Sequence, residues 1–318
     1  MPRIFQFPET MEEWEDQIRR YRVTNTIQTL RPMQSASRTT IAQFLSLRIL
    51  YQTKRASRFN AADWGLGAHR TTARQHLQGC PEFQAYLQNV ALDAGVAQQG
   101  QPQVLQLGIF ELPREQQRHV QDLRIYLGQR AITPGSTALN VLPTADEETV
   151  NFALVDFLQA ICLKFPGVYS RWVPTRFCMR ANFSQDNYTA ITDGGLSIWG
   201  EPENIHALIE CKAPNRRDAL PSVQLQEASQ IVAWLKQEHR PASGDTGRVF
   251  LVSQNGIEIY LTLGTLDRRY WRYLAHDRRT SKFLELHRYG PWVITNAHDM
   301  EALAEIILAF TLNVGDGN

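Results

Sequence analysis

The spacing of apolar side chains in the first half of the chain is mostly that of helices. Thr10 followed by Glu13 has the form of a capping box, so a helix is predicted to begin there. Pro81 at the start and Gly95 past the end delimit the helix predicted over 81–93. The helices predicted in this half span 10–21, 41–51, 81–93 and 114–130. A segment rich in Gln and Gly over 96–103 is predicted to be an exposed loop.

The second half changes to alternating apolar and polar positions, which is typical of strands. Helices are predicted over 145–164, 222–238 and 299–312, and strands over 173–183, 188–199, 205–213, 249–253 and 257–261. Asn255-Gly256 is a dipeptide favoured in tight hairpins and joins the last two strands. The order of helix, strands, helix and strands predicts an α/β or α+β fold. Pro134-Gly135-Ser136 is the best boundary, so we expect a mainly helical N-terminal region over 1–140 and a second domain over 141–318.

Composition and the N-terminal sequence argue against a membrane-spanning or secreted protein. Of the 318 residues 43% are hydrophobic, which suffices for a core, and no apolar run approaches the roughly 20 residues of a membrane span. The N-terminus has no apolar block of a signal peptide, so we expect an intracellular protein of the nucleus or cytoplasm. The four cysteines follow no zinc or disulfide spacing.

Charge is divided unevenly between the two halves. The net charge is +1, yet residues 1–140 hold 16 Lys and Arg against 11 Asp and Glu, whereas 141–318 hold 17 against 21. The basic residues of the first half are almost all arginines, whose planar guanidinium suits phosphate. This excess favours a nucleic-acid partner, although a compositional bias towards Arg on solvated faces explains it equally well.

The most informative residues follow an apolar run in the second half. Side chains alternate across a strand, so Glu210 and Lys212 must share one face while Cys211 faces the other way. Asp193, on a neighbouring strand, would add a second carboxylate. Two carboxylates with a lysine beside them can hold a hard divalent cation, whereas an ordinary solvent-facing ion pair is the alternative.

Asp193, followed seventeen positions later by Glu210-Cys211-Lys212, resembles the signature of the PD-(D/E)XK nuclease superfamily. The likeness covers roughly residues 144–265, and Tyr289-Gly290-Pro291-Trp292 further resembles the C-terminal part of a fungal group of PD-(D/E)XK nuclease-like proteins. The resemblance implies a restriction-endonuclease-like core, in which helices flank a mixed central β-sheet. One departure is Thr192, which stands where the superfamily often has proline.

The resemblance also implies a function. Asp193, Glu210 and the backbone carbonyl of Cys211 would bind Mg²⁺ or Mn²⁺, and Lys212 would position or help to deprotonate the attacking water. The substrate would be nucleic acid, with DNA favoured over RNA. The sequence leaves the oligomeric state open, and a homodimer is one of the possible states. Two alternatives remain open: a binding protein that keeps the fold without efficient cleavage, and a nuclease that serves as the toxin of a selfish element.

Superfamily members often add a glutamate and a glutamine from the flanking helices. Glu147 lies near the apolar stripe of its helix and Glu148 nearly opposite, so Glu147 is the better candidate, although Thr144 to Glu147 also has the form of a capping box. On the helix after the lysine, Gln226 and Gln230 share a face, and Gln230 is the choice for the site. Arg216 and Arg217 follow the lysine strand and are predicted either to contact a phosphate or to form a basic loop.

Overall fold

The computed structural model describes residues 5–95, 106–132, 146–213, 221–237, 247–276 and 280–316. The helices are α1 (Met11–Tyr21), α2 (Ile41–Ser46), α3 (Gly67–Gln78), α4 (Pro81–Asp93), α5 (Glu111–Ile132), α6 (Glu147–Cys162), α7 (Ser222–Gln237), α8 (Arg268–Ala275) and α9 (Ala297–Asp316). The strands are β1 (Ile49–Lys54), β2 (Ser170–Val173), β3 (Cys178–Asn182), β4 (Asn187–Ile191), β5 (Gly194–Ile198), β6 (Glu201–Lys212), β7 (Gly247–Asn255), β8 (Glu258–Leu266) and β9 (Leu284–Val293).

Seven of these strands form one mixed sheet in the order β1-β9-β8-β7-β6-β5-β2. The β1–β9 and β6–β7 pairs are parallel, and the remaining pairs are antiparallel. The parallel β6–β7 pair is connected through α7, which packs on one face of the sheet. The expected mixed α/β fold with a helix-flanked sheet is therefore confirmed at this level.

The sheet separates two hydrophobic clusters, because alternate residues of each strand point to opposite faces. On β6, Ile209 and Cys211 belong to the cluster beneath α3, α4, α6 and α9, whereas Leu208 belongs to the cluster beneath α2, α7 and α8. We call these the α6 face and the α7 face. The small β3–β4 sheet also packs on the α7 face. Glu210 and Lys212 are two and four positions after Leu208 on β6, so their side chains leave the strand on the α7 face.

Several elements lie where the sequence predicts them. Helix α1 begins after Thr10, which accepts a hydrogen bond from the Glu13 N–H at 3.2 Å, and α4 spans the predicted 81–93. Helices α5, α6, α7 and α9 also match their predictions to within a few residues. Strands β7 and β8 form the predicted hairpin, although its turn consists of Gly256 and Ile257, with Asn255 paired to Glu258.

Three predictions are wrong. The helix predicted over 41–51 ends at Ser46, because Arg48 adopts a left-handed φ of 54° and the chain then enters β1. The strand predicted over 173–183 is two strands in different sheets, since Pro174 follows β2 and cannot donate to a ladder. The strand predicted over 188–199 is likewise divided at Thr192 and Asp193.

Strand β1 is the one element from the arginine-rich region that enters the large sheet among the described residues. It pairs with β9, for example Ile49 with Leu284, and neither strand was predicted. The loop predicted over 96–103 and the boundary at 134–136 lie outside the described residues. The division into two domains therefore stays a prediction.

Candidate functional site

Asp193 lies between β4 and β5, at the open end of the β5–β6 hairpin and opposite its turn at residues 199–200. Its backbone N–H donates to Ile209 O at 3.0 Å, and its Oδ2 accepts a hydrogen bond from the Cys211 N–H at 2.9 Å. The carboxylate thus pairs with the β6 main chain just beyond the β5–β6 ladder, which starts at Gly194. Asp193 is 8% exposed. Its two hydrogen bonds to the β6 main chain hold the carboxylate at the end of the sheet.

Glu210 lies one strand away and is almost completely buried, with 1% of its surface exposed. Three nitrogen donors contact its carboxylate. Lys212 Nζ lies 2.7 Å from Oε1, Gln226 Nε2 donates to Oε1 at 2.5 Å, and Gln230 Nε2 donates to Oε2 at 2.5 Å. Gln230 also donates to Ile191 O at 2.8 Å, so it joins Glu210 to the end of β4. The predicted glutamine is therefore in contact with the predicted carboxylate.

The electrostatics of this pair follow from its burial. Burial raises the pKa of Glu210 to about 8, and the negative charge of Asp193 acts in the same direction, while Lys212 opposes both. Burial disfavours the charge of Lys212, but attraction to Glu210, Glu147 and Asp193 outweighs this effect and raises the lysine pKa above its usual range. Lys212 therefore keeps its proton, and the ionisation of Glu210 depends on positive charge beside it.

Glu147, rather than Glu148, reaches the site. Both Glu147 oxygens lie 3.2 Å from Lys212 Nζ, so the ammonium stands between Glu210 and Glu147. The N-cap of α6 is Asp146, whose Oδ1 accepts from the Glu148 N–H at 3.0 Å. In the capping box that the sequence offers at this helix start, the Glu147 side chain would bond back to the backbone of Thr144. Glu147 instead contacts Lys212, and Thr144 lies outside the described residues.

Two residues that the sequence patterns do not predict, Asn151 and Arg176, contact Asp193. Asn151 Nδ2 donates to Asp193 O at 3.0 Å, and Cys211 Sγ lies 3.6 Å from Asn151 Oδ1. Asn151 is four positions after Glu147, so the helical period would have placed both on one face. Arg176 Nη2 lies 3.5 Å from Asp193 Oδ1, and this arginine is in a loop with no sequence signal.

The structure does not describe every residue that the sequence predicts for the site. Arg216 and Arg217 lie outside the described residues. Within the described ranges, no set of three or more His, Cys, Asp or Glu side chains is arranged to hold a metal ion, so a metal at Asp193 and Glu210 would need further oxygen ligands. None of the described helices is both long enough and apolar enough to cross a bilayer.

No protein-family model matches the chain, and a search of curated proteins finds no significant match. The functional proposal therefore depends on the geometry of Asp193, Glu210 and Lys212 and on the sequence motif that they form.

Proposed function

We propose that this protein is a metal-dependent nuclease that hydrolyses phosphodiester bonds, with DNA as the favoured substrate. The observation that carries the proposal is the meeting of Asp193, Glu210 and Lys212 at one end of β5 and β6, with Lys212 Nζ 2.7 Å from Glu210. The order of α6, the β5–β6 hairpin, α7 and β7 supports a restriction-endonuclease-like core around these residues. The motif and its surroundings thus agree.

The residues present fit a hard divalent cation in charge and in ligand type. When Glu210 is ionised, Asp193, Glu210 and Glu147 supply three carboxylates against two cationic side chains, Lys212 and Arg176. A bound cation would favour this ionised form, because burial raises the pKa of Glu210 to about 8. A carboxylate has about four acceptor positions, and the described donors to Glu210 use three of them. Asp193, Glu210 and the Cys211 carbonyl would hold Mg²⁺ or Mn²⁺.

The chain's own residues would position the reacting groups. A bound Mg²⁺ supplies Lewis acidity and neutralises charge on the phosphate. Lys212, an ammonium between two carboxylates, would orient the attacking water and stabilise negative charge rather than act as a base. Gln226 and Gln230 hold Glu210 in place, and Glu147 holds Lys212.

The test is cleavage of labelled single- and double-stranded DNA and RNA with Mg²⁺, Mn²⁺ or EDTA. Wild type should cut DNA only with a divalent ion, and Lys212→Ala should lose nearly all activity. Lys282→Ala is the matched control, because Lys282 is a half-exposed lysine paired with Asp267. Equal activity in wild type and Lys212→Ala would overturn the proposal.

One observation favours a second candidate, a nuclease-like binding protein without efficient cleavage. Glu210 already receives a lysine and two amide donors, so the buried carboxylate is satisfied without a metal. Calorimetric titration with Mn²⁺ separates the two functions. A nuclease should bind Mn²⁺ and lose that affinity in Asp193→Asn, whereas identical heats for the two proteins would support the second candidate.

A further inference from the structure

The two-stranded sheet of β3 and β4, which we call the ribbon, leads directly into the candidate site. Its ladder ends at Ile191, and the next N–H, that of Thr192, donates to Phe177 O at 3.1 Å. Continuing this register by one position places Arg176 opposite Asp193, in agreement with the 3.5 Å between Arg176 Nη2 and Asp193 Oδ1. Residues directly opposite each other in an antiparallel pair project to the same face. Arg176 and Asp193 therefore share one face of the ribbon.

The two faces of the ribbon have different surroundings. The side chains of the inner face are buried against α7, and they are those of Met179, Ala181, Tyr188 and Ala190. The alternate side chains are exposed or half-buried and form the outer face, which consists of Cys178, Arg180, Asn182, Asn187, Thr189 and Ile191. Arg176 and Asp193 continue the outer face at the end nearest Glu210. This face, which ends at Asp193, is thus accessible to a ligand.

The outer face of the ribbon carries mainly positive charge. The Arg176 side chain is 63% exposed, and Arg180 is exposed as well. Arg180 Nε donates to Asn187 Oδ1 at 3.1 Å, so its partner among the described residues is neutral. Asp186 is the one acidic residue between Arg176 and Asp193, and its carboxylate lies at the turn of the ribbon, where it accepts from two main-chain N–H groups. An anion would therefore meet two guanidiniums on this face, with the Asp193 carboxylate at its end.

The outer face offers contacts to a phosphate backbone rather than to bases. Arg176 and Arg180 are four residues apart, about 13 Å along an extended chain, so they can contact different phosphates of one strand. The aromatic side chains of the ribbon lie on its inner side, in the cluster of the α7 face, and are Phe177, Phe183 and Tyr188. Proteins that stack bases use exposed aromatic rings. Binding on the outer face should therefore carry no information about base sequence.

We propose that the outer face of the ribbon binds the backbone of the DNA strand that is cut, with Arg176 on the phosphate beside Asp193 and Arg180 on a phosphate further along. On the basis of the proposed nuclease function, this surface would align the strand with Asp193, Glu210 and Lys212. The 3.5 Å contact between Arg176 and Asp193 is longer than the roughly 2.7–2.9 Å of a charged hydrogen bond. The Arg176 guanidinium can therefore donate two parallel N–H bonds to a phosphate while it stays beside Asp193.

Fluorescence anisotropy of labelled DNA in EDTA measures binding without cleavage. Arg176→Gln and Arg180→Gln should each weaken binding about three- to tenfold at low salt, and each should reduce the slope of log Kd against log salt by about 0.7–0.9. Both effects should be equal for two unrelated DNA sequences. Arg176→Lys keeps the charge and should restore the slope. Arg269→Gln is the control, because Arg269 is exposed on α8, at the end of the sheet away from Lys212, and this variant should bind DNA as wild type does.

Cleavage kinetics with Mg²⁺ separate the roles of the two arginines. Arg180→Gln should raise KM with little change in kcat, whereas Arg176→Gln should also lower kcat, because its phosphate lies at the bond that is broken. Unchanged salt slopes in both glutamine variants, or no binding of DNA by wild type, would overturn the inference. Unchanged slopes together with cleavage that depends on Lys212 would leave the nuclease in place and remove only the ribbon surface. Reduced slopes in a protein that cuts nothing would support the surface and contradict the nuclease.

Discussion

The Lys212 ammonium lies 2.7 Å from Glu210 Oε1, and Glu210 is exposed by only 1%. A buried carboxylate of this kind depends on its cationic neighbour, since the loss of one partner leaves the other without compensation for lost hydration.

Replacing Lys212 with Met should therefore destabilise the protein, by about 3 kcal/mol if Glu210 stays ionised. The double variant Glu210→Gln with Lys212→Met should recover much of the loss, because the buried charge at position 210 is removed together with its partner. Urea unfolding of both variants measures the difference. If the double variant were no more stable than Lys212→Met, the pair would not be coupled as its geometry indicates.

Gln230→Leu should both destabilise the protein and weaken Mn²⁺ binding. The change removes the donor to Glu210 Oε2 and to Ile191 O, at a cost of about 1–3 kcal/mol for buried acceptors left without a partner. Gln237→Leu on the same helix is the control, because Gln237 is exposed. Unfolding curves and Mn²⁺ titrations of both proteins test this. Equal effects at the two positions would show that Gln230 does not support Glu210.

Gly194→Ala should destabilise the site's supporting hairpin. A Cβ at Gly194 would lie 2.4 Å from Val173 O, a backbone atom that cannot move without shifting β2. We expect a loss of about 2 kcal/mol or more from this overpacking. Gly67→Ala is the control, since its nearest neighbours would be at 3.8 Å, and it should be neutral or stabilise α3 by up to about 1 kcal/mol. Thermal unfolding distinguishes them, and a neutral Gly194→Ala would contradict the close approach of β2 and β5.

Acid should weaken the β1–β9 edge through His287. Burial, and then the charge of Lys54, lower the pKa of His287 from 6.5 to about 4. Lys54 Nζ lies 2.9 Å from His287 Nδ1, and an ammonium can only donate, so the imidazole must be neutral. As the pH falls, His287 is therefore protonated in the unfolded chain at a higher pH than in the folded protein. The stability that depends on neutral His287 is complete above pH 6.5 and is lost as the pH falls towards 4.

The measurement is the unfolding free energy of wild type and His287→Gln near pH 7 and near pH 5. Wild type should lose more stability than the variant over this interval. Parallel losses in the two proteins would mean that other groups cause the acid sensitivity.

Local signals predict α1, α4, α5, α6, α7 and α9 and the central motif, because a cap, a terminal proline or a period of 3.6 lies within a few residues. Helices α3 and α8 carry no signal of this strength and are not predicted. Thr10 and Pro81 mark their helices in this way. Alternation alone placed Glu210 and Lys212 together. Ile49, Leu50 and Tyr51 continue the apolar run of the preceding helix, so the sequence predicts helix where β1 forms. The partner of β1 lies more than two hundred residues away in the chain, beyond any local pattern.

The rest of the site depends on contacts that no local pattern contains. Arg176 reaches Asp193 from a loop. Pro174 explains locally why β2 ends at Val173. That β3 and β4 then form a separate sheet packed with α7 depends on tertiary contacts, which no local pattern contains. The sequence thus predicts that Asp193, Glu210 and Lys212 lie together, and it does not predict most of the residues that surround them.

Because β1 is the outermost strand and covers β9, a chain shortened from its beginning past Lys54 would leave the main-chain groups of Leu284 to Tyr289 without their neighbour. An uncovered strand edge can pair with strands of other molecules. Such a fragment should precipitate or form higher-order assemblies, because the pairing of β1 with β9 keeps this edge covered.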